Sequence, residues 1–404
     1  MKALHIFGQN DIRVVNDAPI PKITDPKDVV IEVSFCGICG TDLHEYISGP
    51  IFGPQPGESH QFSGVELPLC MGHEYSGTVI DVGAEVTKVK PGSRVCVDVS
   101  YACFEQNQET PCTACQNGSP NACARLCLRG LSATSGGLCH TSIVPERAVH
   151  VLPDNVPLDI GAMVQPVSIS WHAVRISGIK PGQTALVLGA GPIGIAVILA
   201  LLGHGASKII VSEPAKIRRE QALSIGATHA LDPFSYKGGV PELVKAVHEI
   251  TGEGVDFAYD CSGIQSTLDT ALDSLAFQGT AVNLAIWPHE KTATILPMKL
   301  TAREKRYMGS MGLTGLDMDQ VIAAFSDGSM PMDKARTMIT SKIHIDDAVD
   351  DGFHQLLNNK DKHIKILIAP GGHRDGVTKN EIAEHLPNGI DVLTWQAQWN
   401  TTEK

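Results

Sequence analysis

Three groups of residues in this sequence have the types and spacings that chemistry requires. The first is Cys112-x-x-Cys115 followed by Cys123, with Cys103 before the trio and Cys127 after it. Four thiolates in tetrahedral array make a closed structural zinc site, so Cys112, Cys115 and Cys123 are expected to hold Zn²⁺ with either Cys103 or Cys127 as the fourth ligand. The surrounding loop is crowded with Asn, Thr, Gly and Pro, a poor setting for thiols that merely fill a core. The second group is Gly189-x-Gly191-x-x-Gly194, with Pro192 and Ile193 between the last two glycines. Such a turn lets the backbone approach a pyrophosphate closely, and the helix it opens offers free N–H groups and a positive dipole end. Glu213 lies 24 positions after Gly189, where a ribose-binding acid is expected. Its carboxylate suits two ribose hydroxyls and repels a 2′-phosphate, which predicts NAD over NADP, with Arg218 near the adenosine ribose. The third group is dispersed: Cys39-Gly40-Thr41-Asp42-Leu43-His44, then Gly72-His73-Glu74, then Gln165-Pro166. Each alone is ordinary; beside a dinucleotide fold they point to catalysis.

Two kinds of scaffold must position these groups. Up to about residue 150, short Val- and Ile-rich runs (Lys2–Ile6, Val29–Phe35, Glu74–Val82, Arg94–Val99) are separated by Gly and Pro, which predicts a β-rich region. From Gly182 strands (Thr184–Leu188, Lys208–Glu213, Val255–Asp260, Gly279–Ala285) alternate with helices (Pro214–Ile225, Pro241–Thr251), which implies a parallel sheet covered on both faces. The apolar stretch from Gly182 to Gly203 is broken by the glycine turn, so it is read as strand, turn and buried helix and not as a membrane span, which needs about 20 continuous helical residues. Ile345, Ala348, Val349, Gly352, Phe353 and Leu356 recur at helical spacing and predict one helix, followed by the strand Ile364–Ala369. The polar tail beyond Pro370 carries Trp395 and Trp399 and is read as a loosely docked extension, with an arm onto another subunit as the alternative.

Composition bounds the rest. The chain has 404 residues, 43% of them hydrophobic, and 32 basic against 44 acidic side chains give a net charge of −12. That balance argues against nucleic acid as a partner. Ten of the eleven cysteines fall between Cys36 and Cys139, and the N-terminus lacks an apolar run long enough for a secretory signal. Reduced thiols in the cytoplasm, available to metal, are therefore expected.

The run Gly72-His73-Glu74-x-x-Gly77-x5-Gly83-x-x-Val86 resembles the signature of the zinc-containing medium-chain alcohol dehydrogenases. Phe35-Cys36-Gly37-Ile38-Cys39-Gly40-Thr41-Asp42-Leu43-His44 and Val211-Ser212-Glu213-Pro214-Ala215-Lys216 are most similar to the family's fungal butanediol dehydrogenases, with sorbitol and threonine dehydrogenases as near relatives. The resemblance implies a GroES-like catalytic domain over residues 1–166, an NAD-binding Rossmann domain over 167–309, and a return to the catalytic domain with the tail over 310–404. It implies Cys39 and His73 as catalytic-zinc ligands, Glu74 beside the metal, and Asp42 orienting His73. It makes Thr41 the hydroxyl that takes the substrate proton, His44 the base that passes it to solvent, and Lys365 a neighbour of the pyrophosphate. Cys103 precedes the cysteine trio as family order requires, which favours it over Cys127. Many relatives place Cys or Glu where this chain has Gln165, so either Gln165 or Glu74 completes the ligand set. The implied activity is reversible hydride transfer between NAD and a secondary alcohol, a small-molecule 2,3-butanediol/acetoin couple, by a homo-oligomer. A sorbitol-type polyol dehydrogenase and a non-catalytic dinucleotide-binding protein are the competing expectations.

Overall fold

A computed structural model of the chain describes residues 1–287, 292–359 and 362–371. The tail carrying Trp395 and Trp399 lies outside the described residues. Two sheets organise the molecule, and they differ as the two sequence grammars do. In the β-rich part, strands run in the order Val149–Val151, Arg94–Val97, Glu74–Val82, Asp28–Gly37, Lys365–Ala369, Ile339–His344, with Thr141–Pro145 also on Asp28–Gly37. The chain thus comes back after the second sheet to complete the first. A smaller sheet of Asp11–Val15, Ala3–Gly8 and Leu69–Cys70 lies beside it.

The second sheet is wholly parallel, in the order His229–Leu231, Lys208–Ser212, Thr184–Leu188, Val255–Asp260, Leu275–Asn283, Arg306–Gly309. This is the doubly wound Rossmann order, whose direction reverses beside Thr184–Leu188. Both faces are buried: Ala185, Val187, Val211 and Tyr259 join one core, while Leu186, Leu188, Ile210 and Ala258 join another. Side chains alternate across a strand, so covering both faces demands continuously apolar strands, and these are.

The helix Leu158–Ser177 packs between the two sheets. Fifteen of its residues are buried, Gln165 and Pro166 among them. It runs through 166/167, so that boundary falls inside an element and not in a linker. The single helix expected over Ile345–Leu356 is instead a 3₁₀ turn (Ile345–Asp347), a π turn (Ala348–Phe353) and a short α-helix (His354–Asn358). Gly352 there presses on Ile38, whose Cδ1 would lie 2.8 Å from any Cβ at that position. Lys208–Ser212 stops one residue short of Glu213, and the strand expected over Gly279–Ala285 instead runs over Leu275–Asn283, starting four residues earlier and ending two residues earlier. No described helix is long and apolar enough to cross a membrane.

Candidate functional site

The dispersed triplet converges. Cys39 is the N-cap of the helix Gly40–Ser48, and His73 immediately precedes the strand Glu74–Val82, which Glu74 opens and which pairs antiparallel with Asp28–Gly37. That register sets Gly37 opposite Glu74. The ligand atoms of Cys39, His73 and Glu74 lie within 4.8 Å of one another. Asp42 braces two of the three: its Oδ2 accepts the Cys39 backbone N–H at 2.8 Å, and its Oδ1 stands 3.2 Å from His73 Nδ1. Asp42 and His73 are both buried. Burial disfavours a charged His73, but the Asp42 and Cys39 anions outweigh it and hold the imidazole well above its ordinary value. Cys36, fully buried beside them, is pushed well up by burial and by Asp42, which makes it a packing thiol.

Thr41 and His44 follow on the same helix. Cys39 Sγ lies 3.6 Å from Thr41 Oγ1, and His44 is exposed to solvent. Residues three apart on a helix share a face, so a hydroxyl near the thiolate leads outward to an imidazole. Gln165 is one turn beyond Gly161 on the interdomain helix, and Gly161 packs on Ser76 of the Glu74 strand. Gln165 is buried, and its Oε1 has no hydrogen-bond partner among the described residues. An orphaned buried carbonyl costs about 1–3 kcal/mol unless something occupies it. A donor set of thiolate, imidazole and carboxylate within 4.8 Å of one another fits a Zn²⁺ ion.

Lys365 was expected beside the pyrophosphate. Its ammonium is already engaged elsewhere: it lies 2.5 Å from Glu74 Oε2 and donates to the Ile38 carbonyl at 3.1 Å. Burial pulls its pKa down, but the Glu74 and Cys39 anions more than offset that and leave it raised. This partnership was missed in the sequence. The available signal was a lone lysine in Lys-Ile-Leu-Ile-Ala, a strand buried throughout, where a cation requires a counter-ion.

In the cysteine lobe, Cys103, Cys112, Cys115 and Cys123 bring their sulfurs within 4.8 Å of one another. Cys103 Sγ is 3.5 Å from Cys123 Sγ, which is 3.8 Å from Cys112 Sγ. Cys127 stands apart, 3.7 Å from His60 Nδ1, and burial pushes its thiol up to about 11. The backbone N–H groups of Cys115 and Ala124 draw Cys112 down to about 6, whereas burial lifts Cys115 to about 12. The neck of the lobe is a two-stranded ribbon, Ser100–Tyr101 against Cys127–Leu128, so Cys127 belongs to the hinge and not to the cluster.

At the parallel sheet, Gly189 has φ +94°, and Gly194 packs directly over the Gly189 carbonyl, where a Cβ would overlap. Gly191 caps the helix Pro192–Gly203, with Pro192 and Ile193 in its first turn. The Glu213 carboxylate is buried and ties this loop down, accepting from Ala190 N at 2.8 Å and Ala215 N at 2.9 Å. Each oxygen keeps a second lone pair for a hydroxyl donor. Arg218 is half-buried on the next helix, Lys216–Ile225.

Comparison with known proteins agrees with this geometry. A family model for zinc-binding dehydrogenases matches residues 192–327, and one for the alcohol dehydrogenase GroES-like domain matches residues 25–154. The chain is similar to the (R,R)-butanediol dehydrogenase of Saccharomyces cerevisiae, at 43% identity over 92% of this chain and 99% of the yeast protein. It is similar to the D-xylulose reductase A of Aspergillus niger at 32% identity, over 87% of this chain and 92% of that protein. Among solved structures, the 2R,3R-butanediol dehydrogenase of Bacillus subtilis superposes with a TM-score of 0.82 at 35% identity, covering 91% of this chain and 99% of that one. With both domain signatures matched, the Cys39–His73–Glu74 donor cluster assembled and 43% identity to a yeast relative over 92% of its length, the chain belongs to the zinc-containing medium-chain alcohol dehydrogenase family.

Proposed function

We propose that this enzyme interconverts (R,R)-2,3-butanediol and acetoin by hydride transfer to and from NAD, and reduces diacetyl in the reverse sense. The observation that carries this is the assembled Cys39–His73–Glu74 cluster in a chain 43% identical to a yeast (R,R)-butanediol dehydrogenase over nearly its whole length. In our assignment Cys39 and His73 hold the catalytic zinc with Gln165 or Glu74, and Cys103, Cys112, Cys115 and Cys123 hold a structural one. The catalytic ion, when bound, supplies a Lewis acid that acidifies an alcohol hydroxyl or polarises a carbonyl. Asp42 keeps Cys39 and His73 in place, Thr41 Oγ1 holds the substrate proton, and His44 passes it to solvent. Histidine suits that relay because its unperturbed pKa of about 6.5 lies near working pH. Gly189, Gly191, Pro192, Ile193 and Gly194 cradle the pyrophosphate, and Glu213 takes the ribose hydroxyls, which favours NAD.

We divide the chain into a catalytic part (1–166), a cofactor part (167–309) and a return (310–404). The first sheet supports this by drawing strands from both 28–151 and 339–369. We assign it to the cytoplasm, in keeping with eleven free thiols, and as a homo-oligomer, in keeping with the exposed edge strand Arg306–Gly309. Polyol oxidation is the second reading, favoured by the similarity to D-xylulose reductase. The test is turnover of butanediol, sorbitol, xylitol and threonine with NAD on one preparation whose zinc is counted. Activity on butanediol with about two zinc per chain supports the proposal, and turnover confined to polyols overturns the substrate.

A further inference from the structure

Glu45 carries an inference that rests on the diol activity proposed above and deepens it. It lies one turn beyond Thr41 on the helix Gly40–Ser48, and it is buried. Its carboxylate accepts three consecutive backbone N–H groups: Ile51 at 3.1 Å, Phe52 at 2.9 Å and Gly53 at 3.1 Å. Pro50 has no N–H to offer, so residues 50–53 present no spare backbone donor. Successive N–H groups folded round an anion make a binding concavity, and here the anion belongs to the chain itself. A Cβ at Gly53 would lie 2.9 Å from Glu45 Oε1, so the glycine lets the loop close on the carboxylate. The side chains that remain on offer are apolar, with Ile51 exposed and Phe52 half-buried. The loop stands beside the donor cluster. The same Cβ at Gly53 would be 3.3 Å from the Leu131 carbonyl, and a Cβ at Gly130 would overlap the backbone of Gly72, the residue before His73.

We propose that Glu45 is a positioning residue for substrate choice. By taking up the N–H groups of Ile51, Phe52 and Gly53 it fixes residues 50–52 as an apolar wall of the substrate space, which accepts a methyl group of a small vicinal diol and refuses a polyol. A methyl group placed against that wall leaves water with a gain and no polar cost. A polyol carries a hydroxyl on each carbon, and one pressed there finds no N–H in exchange for the water it gives up. Glu45 acts through the loop and not on the reacting atoms, so its loss changes which diol is held and leaves the hydride step alone.

The experiment is steady-state kinetics on the intact holoprotein at saturating NAD, with (R,R)-2,3-butanediol, (R)-1,2-propanediol and xylitol, for wild type, Glu45→Gln and Gly53→Ala. The two diols differ by one methyl group, which an apolar site distinguishes by roughly 10- to 200-fold in kcat/KM, and wild type shows that preference for butanediol. Glu45→Gln turns an amide N–H toward the loop's own N–H groups and cuts the preference by about tenfold or more. The cut comes through KM for butanediol, while kcat, KM for NAD and zinc per chain stay at wild-type values. Gly53→Ala keeps Glu45 but pushes the loop off its carboxylate, and it shifts the preference the same way. That variant changes only a half-exposed loop position, so the test does not depend on Glu45→Gln folding. Equal losses on both diols, or a lower kcat with the preference intact, make Glu45 merely structural and overturn the proposal. So does a wild type that takes both diols equally well, or a Gly53→Ala preference equal to that of wild type. Wild type that oxidises xylitol and neither diol is a different failure: it removes the diol activity itself, and the wall falls with it.

Discussion

Exchanging Cys103 and Cys127 for serine, one at a time, separates two thiols 24 positions apart that differ by fold and not by type. The lobe core consists of Ala102, Cys103, Cys115 and Cys123, with Cys112 and Leu126 partly buried against it. Four of those six are the clustered cysteines, so little apolar surface remains to hold the lobe once the metal leaves. Structural zinc in small folds is worth about 10–16 kcal/mol, or roughly 2.5–4 kcal/mol for each of four thiolates. Removing one should therefore weaken zinc by about two to three orders of magnitude, at about 1.4 kcal/mol per tenfold. Cys103→Ser should fall from about two zinc per chain to about one after dialysis against a moderate chelator, as counted by plasma mass spectrometry. The lobe between Tyr101 and Cys127 should then become the first site of limited proteolysis. Cys127→Ser should keep about two zinc, because its sulfur faces His60 in the neck; burying a hydroxyl there costs about 1–3 kcal/mol, visible as a lower melting temperature. If Cys127→Ser loses the metal and Cys103→Ser retains it, the assignment of the cluster is wrong.

His44→Ala should lower the rate near neutral pH and recover part of it at high pH, where hydroxide replaces the relay; an unchanged pH–rate profile removes His44 from the path. Glu213→Gln should cut the preference for NAD over NADP by at least about tenfold, because one carboxylate both repels a 2′-phosphate and anchors Ala190 N and Ala215 N; kcat/KM with each cofactor reads it, and an unaltered ratio refutes the role. Asp317 accepts from His172 Nδ1 at 2.8 Å, Arg175 Nε at 2.6 Å and Thr314 Oγ1 at 2.6 Å, joining the interdomain helix to the helix Gly315–Asp327. Burial raises its pKa, but those three partners overcome it and hold the carboxyl far below the ordinary 3.8. A depressed folded-state pKa gives stability that is complete above about pH 4 and lost as pH falls further, so Asp317→Asn should cost about 3–5 kcal/mol at pH 7, with the gap closing only below pH 4. Denaturant melts at pH 7 and pH 3.5 check the sign, and a gap that grows on acidification refutes it.

Strands buried on one or both faces were legible because β-branched runs bounded by glycine have no other good conformation; Glu74–Val82, Thr184–Leu188 and Val255–Asp260 fall where their composition puts them. The helix Leu158–Ser177 was not, since burial on every side erases the 3.6-residue alternation by which a helix is recognised, and Pro166 reads as a breaker. The choice between Cys103 and Cys127 was open locally because either thiol reaches a C-x-x-C from outside; strand pairing at the lobe neck withdraws one of them. The pairing of Glu74 with Lys365 spans 291 positions, and no local pattern encodes it.

The position of the site follows from a strand irregularity. Between Asp28–Gly37 and Glu74–Val82 the pairing runs Val33↔Gly77, then Phe35↔Ser76, Cys36↔Tyr75 and Gly37↔Glu74, with Ser34 as the extra residue. Continuing the earlier register, with Ser34 paired to Ser76, would set Cys36, and not Gly37, opposite Glu74. A side chain would then occupy the space where the carboxylate meets Lys365, since even a single Cβ at Gly37 overlaps Glu74 Oε2. The helix that starts at Gly40 would also shift against His73, because Cys39 lies only two residues beyond Gly37. Leaving Ser34 unpaired therefore sets the donor atom of the N-cap against those of the neighbouring strand and leaves room for the Glu74–Lys365 ion pair. Bulges commonly re-aim side chains beside active sites in this way. Here the shift explains why a glycine precedes the cysteine by two: the cysteine brings its thiol to the cluster, and the glycine leaves room for the Glu74–Lys365 ion pair.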